Sequence, residues 1–186
     1  HSKYAEAIYY ESPDRGLYVN MFIPSELRWR NRGVTVRMET RFPDSDTVTI
    51  SIRAKKSLRF PLYIREPGWV GRRMRILVNG HVILSAPDAA GYHRLSPAWH
   101  DGDRITVIVP MTVHTESMPD NPNRLAIRYG PIVLAGRLGI EGIVPPMPYA
   151  KSQTDFFHTP VPPAPVLVTE GRPVTEWLEA VPNQPL

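Results

Sequence analysis

Not one of the 186 residues is a cysteine. The chain therefore contains no disulfide, no thiolate metal site and no cysteine nucleophile, and its redox compartment stays open. Long apolar runs are missing too. None approaches the ~18 residues of a membrane span, and no signal-peptide pattern opens the chain. There is no initiator methionine, and a start at His1-Ser2-Lys3 reads as a fragment of something longer. Nothing here calls for a membrane partner, and the compartment is left between cytoplasm and periplasm.

A clustered charge of one sign is also lacking. The formal charge is +4, but the basic residues are scattered, with Arg28, Arg30 and Arg32 in one turn-like segment and Arg72, Arg73 and Arg75 in another. A nucleic-acid face would need clustering with stacking aromatics, so no nucleic-acid partner is expected. Hydrophobic content of 42% and charged content of 22% are those of an ordinary globular domain.

What is present is a succession of short apolar alternations. The stretch Leu62–Pro110 sets the pattern. Arg75 to Val78 leads into Asn79-Gly80 and out through His81 to Leu84, a pairing that suits a type I′ hairpin turn. Ile105, Val107 and Val109 then share one strand face. Leu17–Ile23 reads as one strand stopped by Pro24, and Val34–Met38 and Val48–Ile52 as an antiparallel pair. Leu58–Ile64 reads as a strand with Pro61 at an edge or bulge. Strands follow at Val113–Thr115, Leu125–Tyr129 and Ile132–Leu134. About eight or nine short strands without alternating helices predict an all-β chain, an antiparallel β-sandwich of jelly-roll-like kind.

Three segments follow from this reading. Tyr4 to Tyr10 has helical spacing and reads as the tail of a longer helix, so residues 1–10 are set apart. Residues 11–136 form the sandwich. From 137 to 186 the chain is rich in proline, including Pro145-Pro146 and Pro160 to Pro165, and ends in a short helix around Trp177 behind Pro173.

Catalytic patterns are sparse. Asp44/Asp46 and Asp101/Asp103 sit in turns, where aspartate satisfies backbone groups, rather than facing one another across a cleft. Six histidines are present, and His114-Thr115-Glu116 places two ligand types on one strand face without a third. No Gly-x-Ser-x-Gly elbow or phosphate-cradling glycine loop occurs. The aromatic residues Trp29, Trp69, Tyr92 (with His93), Trp99 and Trp177 are candidates to cover the C–H face of a sugar, or else pack in the core or between domains.

The phrases HSKYAEAIYY, GLYVNMFIPSELRW, ETRFP, LYIREPGWV, VNG, WHDGDRITVIVPM and PDNPNRLAIRYGPIVLAG follow one another here in the order and spacing of glycoside hydrolase family 127. The chain resembles that family over at least Ser2 to Gly136. The family's founding activity is β-L-arabinofuranosidase. The resemblance implies an upstream (α/α)6 catalytic barrel in the same polypeptide, with residues 1–10 as the remainder of its last helix. It also implies a zinc ion held in that barrel by a glutamate and three cysteines, one of them the proposed nucleophile, with an adjacent cysteine pair just before the HSKY segment. No such residue falls on this chain, so no catalytic, metal or cofactor-binding position is assigned within it.

Two functions are then expected to compete. The chain either braces the barrel of a glycosidase acting on arabinose-containing glycans, or is a carbohydrate-binding module with its own aromatic site. The candidate contacts are Trp29, Trp69, Tyr92 and Trp99, for sugar or for a neighbouring domain. An interdomain role predicts an exposed apolar patch around Trp29, Leu27 and the Tyr4 helix.

Overall fold

The structure is a computed structural model that describes residues 3–137, 170–176, 178, 179 and 181. Its strands in chain order are β1 Tyr9–Glu11, β2 Leu17–Val19, β3 Ser25–Trp29, β4 Val34–Thr40 and β5 Thr47–Ala54. Then come β6 Leu58–Arg59, β7 Leu62–Arg65, β8 Arg75–Val78, β9 His81–Ile83 and β10 Tyr92–Leu95. The last are β11 Ala98–Trp99, β12 Arg104–Ile108, β13 Val113–Met118, β14 Asn121–Tyr129 and β15 Ile132–Val133. The helical elements among the described residues are single 3₁₀ turns, at Ala5–Ala7 before β1, Arg30–Arg32 between β3 and β4, and Val174–Glu176 after β15.

Two sheets make the sandwich, one of six strands ordered β3-β4-β5-β12-β8-β9 and one of four ordered β1-β2-β7-β10. Alternation decides which side chains meet between them. Val36, Met38, Val48, Ile50, Ile52, Ile105 and Val107 of the larger sheet are sealed from solvent against Val19, Leu62, Ile64 and Leu95 of the smaller. Each fully buried aliphatic contributes about 1.5–3 kcal/mol. The fold is thus the all-β sandwich that the alternations predict. One pairing departs from the antiparallel rule, because β2 runs parallel to β7 with Tyr18 opposite Tyr63. A two-stranded β11-β6 ribbon and a three-stranded β13-β14-β15 meander complete the described strands.

Several local readings change. The Tyr4–Tyr10 segment is a 3₁₀ turn followed by β1, not a helix. Ile8 is drawn into the core, and Tyr9 and Tyr10, good strand formers, pair with Val19 and Tyr18. The strand from Leu17 ends at Val19; Asn20 still bonds Ile8 O through its amide, and its side chain donates to Ala7 O. A further strand, β3, follows Pro24. Pro61 marks neither edge nor bulge: it separates β6 from β7, which belong to different sheets, and β7 lies inside its sheet. Lacking an amide proton, proline fits the break before a strand. Among the described residues fifteen short strands replace the expected eight or nine, in part because a strand follows Pro24 and Pro61 divides a run read as one strand. The expected terminal helix is represented by the Val174–Glu176 turn, and Trp177 lies outside the described residues.

Candidate functional site

The outer face of the four-stranded sheet gathers the densest group of polar aromatic chemistry. Cross-strand register places Tyr10, Tyr18, Tyr63 and Arg94 in one row over β1, β2, β7 and β10. The Tyr18 and Tyr63 rings stack at 4.4 Å, and Tyr92 meets Tyr18 edge-on at 4.8 Å. Tyr63 donates its hydroxyl proton to Asp14 Oδ2 at 2.6 Å, and Arg94 Nε donates to the same hydroxyl oxygen at 3.3 Å. Ser12 donates to Asp14 from within the Ser12–Gly16 turn, and Tyr92 donates to Asn20 Oδ1 at 2.8 Å.

This network sets the protonation of its members. Hydrogen bonds from Ser12 and then Tyr63 hold the Asp14 carboxyl below the usual carboxylate range. The same bond, seen from the phenol, raises Tyr63, with burial adding to it. Across β1, burial raises the Tyr9 phenol against a weaker opposing bond to Ser25. A carboxylate made more acidic and a phenol made less acidic are poorly placed to exchange protons near neutrality. The cluster is therefore suited to holding shape, and its ring faces and hydroxyls are largely engaged with one another.

The four aromatic candidates are not brought together. Trp99 is fully enclosed, with Nε1 donating to Phe60 O at 2.9 Å, and Trp29 packs edge-on to the same Phe60 ring. The Arg32 guanidinium lies 5.4 Å from the Trp29 ring centroid. Trp69 is half-buried and stacks on Phe42 on its own. Tyr92 alone belongs to the tyrosine cluster. Tyr18 and Tyr63 were missed by sequence reasoning, although each stands between two core-facing residues, Leu17 and Val19 or Leu62 and Ile64, as a tyrosine on an outward face would. Trp29 and Leu27 also fail to form the exposed patch expected of them: Trp29 is buried and Leu27 packs partly against the core. Of the segment expected in that patch, Tyr4 and Tyr10 are exposed; other exposed apolar side chains lie at Ile23, along Val82 to Leu84, and at Met118 and Leu125.

The acidic and histidine candidates have structural partners. Asp101 accepts from the Ala54 amide, while Asp103 accepts from the His100 amide and the Asn79 side chain. Asp46 accepts from the Thr47 hydroxyl. Glu116 pairs with Arg128, and His114 lies against Thr112 O. Buried His93 bonds Glu66 Oε2 at 2.9 Å through Nε2 and leaves Nδ1 without a partner. Among the described residues no three histidine, aspartate or glutamate side chains are placed to hold a metal.

Comparison with known proteins gives the arrangement a family. No match was found among curated proteins. Among solved structures, a GH127 β-L-arabinofuranosidase from Geobacillus stearothermophilus T6 is similar at 27% identity and a TM-score of 0.61, over 69% of this chain and 21% of that one. A glycoside hydrolase and a GH127 β-arabinofuranosidase, each 24% identical, share the fold with TM-scores of 0.59 and 0.58. They are covered over 22% and 23% of their lengths, and 68% of this chain is covered in each case. The chain thus spans about a fifth of the structures it matches. The profile described as "Beta-L-arabinofuranosidase, GH127 middle domain" matches residues 16–111, just over half of the 186, and almost the whole sandwich core lies inside that match; the chain belongs to the GH127 middle-domain family.

Proposed function

We propose that this chain is the non-catalytic β-sandwich of a glycoside hydrolase resembling β-L-arabinofuranosidases, and that it braces a catalytic barrel in the same polypeptide. On this reading the parent enzyme hydrolyses glycosidic bonds of arabinose-containing glycans. Zinc chemistry belongs to the barrel, and no step of the reaction runs through residues of this chain. The supporting observation is the coincidence of the family match, residues 16–111, with the single core running from Ile8 to Val109. The four-stranded sheet's tyrosines favour bracing over an aromatic sugar site, because Tyr18 and Tyr63 stack on one another and Tyr92 packs edge-on to Tyr18. The reading keeps a boundary at about residue 136 and moves the N-terminal one from about residue 10 to before Ile8, because Ile8 and β1 belong to the sandwich.

The chain alone is expected to release no product from an aryl β-L-arabinofuranoside. Added in trans to a GH127 barrel produced without its sandwich, it is expected to raise the barrel's melting temperature. Turnover by the chain alone would overturn the proposal. A saturable change in tryptophan fluorescence with millimolar arabino-oligosaccharide would favour the binding-module reading instead.

A further inference from the structure

The outward face of the six-stranded sheet carries a second pattern, one of charge. Arg28 stands opposite Thr35, and Thr35 opposite Arg53; Arg37 stands opposite Ser51, and Ser51 opposite Arg104. Four arginines therefore fall on four successive strands, β3, β4, β5 and β12, alternating between two adjacent rows. Diagonal neighbours in such a lattice are about 7–8 Å apart, so the guanidinium stems form a zigzag across the strands. All four are exposed. Glu26 pairs with Arg28 at 3.0 Å and Glu39 with Arg37 at 2.9 Å. Arg53 and Arg104 have no ion-pair partner among the described residues. Between the arginines stand small hydroxyl side chains, Thr35 and Ser51, and in the next row Thr49 faces Thr106.

We propose that this stripe binds a linear acidic glycan, a polyuronate, laid across the strands. Guanidinium forks suit carboxylates because they bond them in pairs of parallel hydrogen bonds, and the intervening hydroxyls suit a polyol. A single-stranded nucleic acid would also offer repeated anions, but these rows carry no aromatic ring on which a base could stack. The stripe has no counterpart in the aromatic sites considered above. It does not depend on the bracing role, and its ligand is acidic where the arabino-oligosaccharide test uses neutral sugar.

The test is affinity electrophoresis of the full chain in gels containing polygalacturonate, with neutral arabinan gels and an oligo-dT shift as parallel arms. Polygalacturonate is expected to retard the chain, less so as salt is raised. Arg53→Ser with Arg104→Ser is expected to weaken retardation about fivefold, whereas Arg72→Ser with Arg124→Ser, an equal charge loss away from the stripe, leaves it within twofold. Glu26→Gln with Glu39→Gln releases Arg28 and Arg37 and is expected to tighten binding about threefold, a gain that misfolding cannot produce. The proposal is overturned by an absence of retardation at low salt, or by equal losses in the two arginine pairs. Oligo-dT binding as tight as polygalacturonate binding would overturn it too.

Discussion

Asp14 and Tyr63 show how single hydrogen bonds set both geometry and titration. The Asp14 carboxyl is lowered from 3.8, so its contribution to stability is present above that value and lost as pH falls through the lower folded-state value. Tyr63 runs the other way. Its phenol is raised from 10.0, so its contribution is full below about 10 and lost as pH rises towards the folded-state value. Tyr63→Phe removes one of the two leading bonds to Asp14. The Asp14 carboxyl should then titrate closer to 3.8 than in the parent chain, as followed by the carboxyl carbon shift in NMR. An unmoved titration would mean that the remaining partners, Ser12 foremost, set it. Trp99 is governed by packing instead, being fully enclosed with its indole N–H bonded to Phe60 O. Trp99→Ala should cost about 3–5 kcal/mol in chemical denaturation, and it should also leave the Phe60 carbonyl without its donor.

At the level of elements, turn chemistry and close approach decide where strands begin. Asn79 and Gly80 both take left-handed angles, φ 49° and 84°, and join β8 to β9 with Val78 opposite His81. A methyl added at Gly80 meets nothing, so Gly80→Ala should cost only the conformational term, about 1–2 kcal/mol. Asn79→Ala should cost at least as much, because Asn79 also accepts from the Arg104 amide and donates to Asp103. Gly16 is constrained by space, since a Cβ there would stand 2.6 Å from Pro61 O. Gly16→Ala should destabilise by about 1–3 kcal/mol and push β2 away from Pro61, whose carbonyl accepts from the Leu17 amide. The β8–β9 hairpin was legible in the sequence because Asn-Gly carries its geometry locally. The parallel contact of β2 with β7 was not, since Tyr18 and Tyr63 are distant in sequence and only the folded sheet stacks them. β1 was hidden for a related reason: YAEAIYY fits a helical period as well as a strand, and pairing with β2 decided between them. β3 was hidden by Pro24, which reads as a stop although the chain resumes a strand one residue later.

Across the whole molecule, burial ends abruptly along the chain. Every member of the main core lies between Ile8 and Val109, and among the apolar residues described after Val109 only Val174 is buried. The β13–β15 meander is closed on its own lead-in, where the Met111 side chain crowds Gly130 and the Gly130 amide bonds Thr112 O. A sheet that supplies no buried apolar side chain to the core adds little to cooperative stability, which follows buried area. A chain ending at Met111 should therefore unfold in one cooperative thermal transition, with its midpoint within about 5 °C of the full chain. Ending it at Gly102 should abolish that transition. This shorter cut removes β12, which lies between β5 and β8 and carries the fully enclosed Ile105 and Val107, and so divides the six-stranded sheet. Circular dichroism melts of the two truncations measure this. A broad transition from the chain ending at Met111 would show that the meander holds the sandwich together. A cooperative melt from the chain ending at Gly102 would show that the core does not depend on its central strand.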